Sequence, residues 1–227
     1  MFPAALIPKD QLQTRYIAPF GLTALLQPHK PGESVDSLWI GGHPGEPGIA
    51  LFVSALDAEI YRLQSLTIGR EWVRHPLEVI GFKYTVERLG KAWTNLVFGF
   101  SANARGELVR GPSGCLSLPH YQESFGPLAE PATPVIFRFG EPLFETMKER
   151  WDLMGEPDHA STIATVNALG ATAAGAAQLK EIAEKTLRLV KVAPIGEAAH
   201  ERTDYATFNP QTSQWRYGPT EARQQLH

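Results

Sequence analysis

Cys115 and His120, five residues apart, are the pair of residues in this sequence whose types best fit covalent chemistry. A thiolate activated by an imidazole is an effective nucleophile. In an extended segment, however, residues five apart point to opposite faces, which argues against a working pair. A lone cysteine is more often a small buried apolar residue. We therefore assign no catalytic residue, predict that Cys115 is structural, and keep Cys115 and His120 as candidates only.

The segment 111–114, Gly-Pro-Ser-Gly, invites comparison with the nucleophile elbow of serine hydrolases. That motif requires a glycine two residues after the serine. Here Cys115 stands at that place after Ser113, so the match fails by one position. The composition of the segment predicts a turn instead.

A second glycine-rich segment, 41–48, could bind an anion through its backbone amides. Pro44 and Pro47 remove two of the N–H donors that such a site needs. The segment also lacks the lysine and hydroxyl residue that end a phosphate-binding loop. We predict a connecting loop at 41–48.

The seven histidines form no recognisable metal signature. Neither H-E-x-x-H nor a Cys/His zinc pattern occurs. His75 and Glu78 are three residues apart, but Pro76 between them argues against a helix that would place them on one face. The sequence therefore predicts neither a metal site nor a cofactor.

An acidic segment, 141–158, carries six acidic residues against two basic ones. On a helix, Glu145, Glu149 and Asp152 share one side by their i, i+3 and i+4 spacing. This side is either a solvated helix face or a docking surface for a basic protein, because complementary charge steers association. We predict partner binding at Glu145, Glu149 and Asp152.

Small residues dominate the segment 160–177, which includes Gly170 and Gly175. Each glycine destabilises a helix by about 1 kcal/mol relative to alanine, so close approach of another backbone is the expected compensation. Close packing on the sheet is the favoured interpretation. A helix–helix contact between subunits of a homo-oligomer is the alternative.

Period-two alternation predicts strands that position these residues, at 79–89, 96–100 and 135–139. We expect Phe82, Phe98 and Phe137 to share one core beneath a common sheet. The apolar runs 38–40 and 49–53 predict further strands, and 22–26 a short helix or strand. Asn103 begins a predicted hairpin turn into 107–110.

Capping and stop signals predict the helices. Ser54, followed by Asp57, resembles a capping box, and Pro142 suits a first helical turn. Another helix begins at Asp158 or Ser161, and an apolar stripe from Leu179 predicts the next. The fold class is α+β: a largely antiparallel sheet with helices packed on one face and a helical C-terminal region.

Composition places limits on the class of protein. The chain has 227 residues, 43% of them hydrophobic, a net charge of −3 and one cysteine. These values predict a globular protein without disulfides and argue against nucleic acid as a partner. The absence of a signal-like start or an apolar stretch of ~18 residues predicts no membrane contact and a cytoplasmic location.

We predict a sheet domain at 1–157, a helical segment at 158–193 packed on it, and a polar extension at 194–227, ordered or loose.

No nucleotide-binding, hydrolase, kinase or zinc signature is present in the sequence. The leading hypothesis is a non-enzymatic protein-binding role, such as an adaptor or a toxin-neutralising immunity protein with a basic partner. One alternative is an enzyme with a dispersed active site, such as a cysteine-dependent hydrolase. Another is a small-ligand binding protein.

Overall fold

A computed structural model of the protein describes residues 14–28, 38–40, 48–79, 91–126, 135–195 and 204–219. The first strands along the chain are β1 Thr14–Ile17, β2 Thr23–Leu26, β3 Trp39–Ile40, β4 Gly48–Phe52, β5 Val73–Pro76 and β6 Ala92–Val97. The others are β7 Phe100–Ala102, β8 His120–Phe125, β9 Val135–Arg138, β10 Asp204–Asn209 and β11 Gln214–Pro219. The α-helices are α1 Ala55–Leu66, α2 Glu141–Leu153, α3 His159–Gly170 and α4 Ala173–Arg188, and a 3₁₀ turn covers Leu77–Val79. The predicted α+β class is confirmed.

The strands form three sheets among the described residues. The central sheet has the order β5-β2-β4-β6-β8, with β3 beside β4, and every neighbouring pair is antiparallel except β4 with β6. Strands β1 and β9 form a parallel pair, and β7, β10 and β11 form a third, antiparallel sheet. The predicted largely antiparallel sheet is therefore confirmed, but β9 lies outside the central sheet that contains β6.

Strand β4 lies at the centre of the molecule, and all five of its residues are buried. Ile49 and Leu51 belong to one apolar cluster with Met147 of α2. Phe52 points to the other side and belongs to a second cluster with Leu56 of α1. Apolar clusters therefore lie on both faces of the central sheet at β4, which explains why 49–53 is continuously apolar.

The predicted continuous strand at 96–100 is wrong. Strand β6 ends at Val97, and β7 begins at Phe100 in a different sheet. Gly99 has φ +136°, and a Cβ atom at Gly99 would lie 2.6 Å from the carbonyl oxygen of Ala206. The chain therefore changes sheets where strand β10 approaches too closely for any side chain.

Phe98 and Phe137 are both buried in one apolar cluster, as predicted, although they do not lie beneath a common sheet. Phe82 and nearly all of 79–89 lie outside the described residues, and Val79 ends the 3₁₀ turn. The loop predicted at 41–48 also lies outside the described residues, except for Gly48. Strand β5 was not predicted, because its residues are half-exposed and show no apolar alternation.

Most of the predicted helix signals are confirmed. The Ser54 hydroxyl accepts a hydrogen bond from the amide of Asp57 over 3.3 Å, and Pro142 lies in the first turn of α2. Helix α3 follows Asp158. The apolar stripe of α2 is buried as Phe144, Met147 and Trp151. The turn after Asn103 also forms, since the Asn103 side chain accepts from two amides beyond it.

Small residues of 160–177 are used for close packing inside the chain. A Cβ atom at Gly170 would lie 3.1 Å from Cβ of Ala55 and 3.3 Å from Cδ2 of Leu179. One at Gly175 would lie 1.9 Å from the carbonyl oxygen of Leu169. The close approach is therefore between helices rather than onto the sheet. The homo-oligomer contact stays a prediction.

The C-terminal segment contains the β10–β11 hairpin, which pairs with β7. Phe208 and Trp215 pack edge to face across the hairpin at 5.6 Å. The described part of 194–227 is thus an ordered wrap, and the domain division at 157 and 193 stays a prediction. None of the helices within the described ranges is both long and apolar enough to cross a membrane.

Candidate functional site

Cys115 is buried, with 2% of its surface exposed. The Ser65 hydroxyl donates to its Sγ atom over 3.8 Å, and the Tyr61 hydroxyl lies beside it. Burial, reinforced by the neighbouring Cys115, raises the pKa of Tyr61 above its ordinary range, so this phenol stays neutral. The thiol therefore lies against two hydroxyl groups of α1 and within an apolar cluster.

His120 opens strand β8 and is half-buried. Its Nδ1 atom lies 2.9 Å from the carbonyl oxygen of Leu118 in its own segment. In the described part of the chain, no hydrogen bond joins the imidazole of His120 to the thiol of Cys115. Ser113 lies in a tight turn, in which the amide of Gly114 donates to the Gly111 carbonyl over 3.0 Å, as predicted. A structural role for Cys115 stays a prediction.

The acidic residues Glu145, Glu149 and Asp152 are all exposed on α2. Glu145 forms an exposed ion pair with Lys148 at 2.7 Å. Glu156, counted with the acidic segment, is instead buried and lies after the helix. The exposed acidic face, defined as Glu145, Glu149 and Asp152, is thus smaller than the charge count of 141–158 indicates. Its binding role stays a prediction.

A buried polar cluster, not anticipated from the sequence, lies between α3 and the C-terminal hairpin. Glu156 accepts hydrogen bonds from the side chains of Asn209 and Arg216, the latter at 2.6 Å. His159 Nε2 and Thr207 Oγ1 are hydrogen-bonded at 3.0 Å. Burial lowers the pKa of His159 to about 4, against an opposing effect of Glu156. A hydroxyl beside a neutral imidazole suits proton transfer, but both groups are enclosed, so this cluster is structural.

An open cleft of about 500 Å³ lies where several element ends meet. The starts of α1, α4 and β2 border it, together with the end of α3 and strand β5. Its lining residues are Gly21, Leu22, Thr23, Ala55, Arg74, His75, Pro76, Glu78, Asn167, Gly170, Ala171, Thr172, Ala173 and Ala176. The cleft therefore combines small apolar walls with charged groups of both signs.

Arg74 is held at the cleft wall by a buried carboxylate. Its Nε atom donates to Glu59 Oε2 over 2.9 Å, and only 4% of the Glu59 side chain is exposed. Arg62 donates two further hydrogen bonds to Glu59. The Nη1 atom of Arg74 lies 3.2 Å from where a Cβ atom at Gly170 would be. The absence of a side chain at Gly170 thus lets helix α3 pack closely against the guanidinium.

Asn167 also lines the cleft, and both of its N–H donors are used within the protein. Its Oδ1 atom accepts from the amide of Ala55 over 2.7 Å. Its Nδ2 atom donates to the carbonyl oxygens of Gly21 at 2.8 Å and Val53 at 2.9 Å. With all three bonds made, this side chain ties α3 to the starts of β2 and α1 and fixes the shape of the cleft.

The first turn of α4 faces the cleft through Thr172, Ala173 and Ala176. The Thr172 hydroxyl caps the helix by accepting from the amide of Gly175 over 3.0 Å. The first amides of a helix have no partner within the helix, so that of Ala173 can donate outward. Glu78, on the 3₁₀ turn, is exposed and forms no ion pair within the described ranges.

The cleft was not predicted from the sequence, because its lining comes from separate segments. The one local signal was Gly170, a glycine inside a predicted helical region. Among the residues that the structure describes, no three His, Cys, Asp or Glu side chains are grouped to hold a metal. Comparison with protein-family models, curated proteins and solved structures found no match for this chain.

Proposed function

We propose that this protein is a non-enzymatic binding protein that holds a small polar ligand in the cleft. The observation that carries the proposal is the cleft itself, about 500 Å³ in volume with Arg74 and Glu78 in its lining. Ligand sites are typically ~300–1,000 Å³ concavities with small apolar walls and a few placed polar groups. Of the functions that the sequence left open, small-ligand binding fits these features best.

The walls of the cleft are preorganised, which favours binding because little freedom is lost when the ligand enters. Asn167 makes all of its hydrogen bonds to backbone groups of neighbouring elements. Arg74 is oriented by the buried Glu59. A ligand therefore meets polar groups that are already in position.

A pair of tryptophan variants on α4 tests this proposal. Ala173 lines the cleft, whereas Ala174, next to it and also exposed, does not. Ala173→Trp should fill the cleft, and Ala174→Trp is the matched control for the added side chain. Both proteins are dialysed against a defined mixture of amino acids, carboxylic acids, polyamines, nucleosides and sugars, and retained compounds are measured by mass spectrometry.

We expect wild type and Ala174→Trp to retain the same compound and Ala173→Trp to lose it, with unchanged circular dichroism for all three. Retention of no compound by the wild type would overturn the proposal. Equal retention by Ala173→Trp would also overturn it, because the compound would then bind elsewhere.

A second candidate function is docking of a basic protein on the exposed acidic face, as in an adaptor or an immunity protein of the cytoplasm. The specific observation is that Glu145, Glu149 and Asp152 are exposed on a helix whose other side is buried. Leu153, 52% exposed, adds an apolar contact at the end of the same helix. A second copy of the chain, docked through the exposed residues of 160–177, is the alternative partner.

Charge reversal of Glu145 and Glu149 to lysine tests the docking function with a purified partner. The double variant should associate more slowly at low salt, because exposed charges act mainly on the association rate. Added salt should slow the wild type in a similar way, since screening acts over ~8 Å at physiological ionic strength. Equal association rates for both proteins at low salt would reject this face as the docking surface.

A further inference from the structure

We infer that the ligand of the cleft is zwitterionic, of the α-amino-acid class, with its carboxylate at Arg74 and its ammonium group at Glu78. This inference rests on the proposed function and specifies its substrate class. Arg74 and Glu78 are opposite charges four residues apart that line one cleft. Within the described ranges no ion pair joins them, since Arg74 pairs with Glu59 instead.

The carboxylate position follows from the donors that Arg74 has left. Its Nε atom is used by Glu59, so the two terminal nitrogens remain for a ligand. Guanidinium groups bind carboxylates through paired N–H donors, and these charge-assisted bonds are strong. Arg74 is part of the cleft lining, so a carboxylate held in the cleft can reach this group.

Helix α4 also favours a carboxylate in this part of the cleft. Its first turn, with the amide of Ala173, lines the cleft. The helix spans 16 residues, and the start of a helix carries partial positive charge. This contribution supports the position set by Arg74 and does not define it.

The ammonium position follows from Glu78. An anionic ligand without a positive group would meet repulsion from this carboxylate, because like charges in one cleft are unfavourable. A cationic ligand without a negative group would be repelled by Arg74 for the same reason. A ligand that carries both charges satisfies both side chains. Leu22, Ala55 and Ala176 give the cleft an apolar part that suits an aliphatic side chain.

Calorimetric titration of the intact protein with each of the twenty L-amino acids tests the inference. The best binder is then compared with its deaminated carboxylic acid and its decarboxylated amine. We expect each analogue to bind at least about tenfold more weakly than the amino acid, which corresponds to ~1.4 kcal/mol at each end.

Two variants separate the two ends of the ligand. Glu78→Gln should weaken binding of the amino acid and leave binding of the deaminated acid unchanged or stronger. Glu71→Gln is the matched control, because Glu71 is exposed in the same segment and does not line the cleft. Arg74→Lys should weaken binding of the amino acid and leave binding of the decarboxylated amine unchanged. If Arg74→Lys fails to fold, the comparison of Glu78→Gln with Glu71→Gln still tests the inference.

Failure of this inference can be distinguished from failure of the proposed function. If dialysis retains a sugar, a nucleoside or a simple carboxylic acid and no amino acid, the cleft binds ligands but the zwitterionic class is wrong. Equal affinity of the amino acid for Glu78→Gln and Glu71→Gln would overturn it as well. Retention of no compound of any class would overturn both.

Discussion

The Nε atom of Arg216 donates a hydrogen bond to Oε1 of Glu156 over 2.6 Å and so ties the last described strand to the turn between α2 and α3. Asn209, on the neighbouring strand, donates to the other oxygen of the same carboxylate. Only 8% of the Glu156 side chain is exposed, whereas 35% of the Arg216 side chain is. One buried carboxylate therefore binds both strands of the C-terminal hairpin and helps to hold them to the helices.

Replacement of Glu156 by alanine should destabilise the protein by about 2 kcal/mol, because the buried Asn209 and the partly buried Arg216 lose their acceptor. The partial exposure of Arg216 keeps the loss below that of a fully buried pair. Glu145→Ala, which removes an exposed carboxylate, should change stability by less than about 0.5 kcal/mol. Urea unfolding of the three proteins measures the difference, and equal midpoints would contradict the role of Glu156.

His159 predicts loss of stability on acidification. Burial lowers its pKa to about 4 from an ordinary 6.5. Between these values the unfolded chain binds more protons than the folded one, so stability falls as the pH falls from 6.5 towards 4. His159→Gln can keep a bond to Thr207 but cannot titrate. Unfolding measured across this range should show a smaller pH dependence for the variant, and an identical slope would refute the assignment.

Asp57 predicts the opposite dependence. It is fully buried, and desolvation raises its pKa from 3.8 to about 7. The folded chain then binds more protons than the unfolded one between these values, so stability falls as the pH rises from 4 to 7. Asp57→Asn should stabilise the protein by about 2 kcal/mol at pH 8 and have little effect at pH 4. Stabilisation that is equal at both pH values would show that charge is not the cause.

The burial of Cys115, which is 2% exposed, predicts a slowly reacting, structural thiol. Cys115→Ser should fold with a loss of about 1 kcal/mol, because the new hydroxyl can bond to Ser65. Alkylation of the native protein at neutral pH should be far slower than alkylation of the unfolded protein in urea. Rapid alkylation of the native protein, together with loss of its activity, would instead favour the cysteine-dependent enzyme.

Gly99 tests the crossing between sheets. In Gly99→Ala, the new Cβ atom would lie 2.6 Å from a backbone oxygen, and the residue would have to keep φ at +136°. We therefore expect the free energy of unfolding to fall by more than about 2 kcal/mol. Gly126→Ala is the control, because a Cβ atom at Gly126 would meet no atom of the described residues within 4 Å. Thermal unfolding of the two variants gives the comparison. Similar stabilities would show that the chain relaxes at Gly99 without strain.

The candidate site was only partly predictable. The exposure of Glu145, Glu149 and Asp152 followed from helical spacing, because the opposite positions of α2 are large and apolar. The cleft could not be predicted, since the half-exposed strand that carries Arg74 shows no alternation. Gly170 was visible in the sequence, but only the contact of its helix with α1 shows that it packs beside Arg74.

By itself, the sequence determined elements whose causes are local. The run 49–53 predicted a buried strand, and Ser54 and Pro142 predicted the starts of two helices. Such elements depend on neighbouring residues and on the period of the apolar positions. Only the tertiary structure decided which polar groups meet. Glu59 bonds to Arg74 across 15 residues and Glu156 to Arg216 across 60. Chain distance carries no information on such partners, because sheet order and helix packing bring them together.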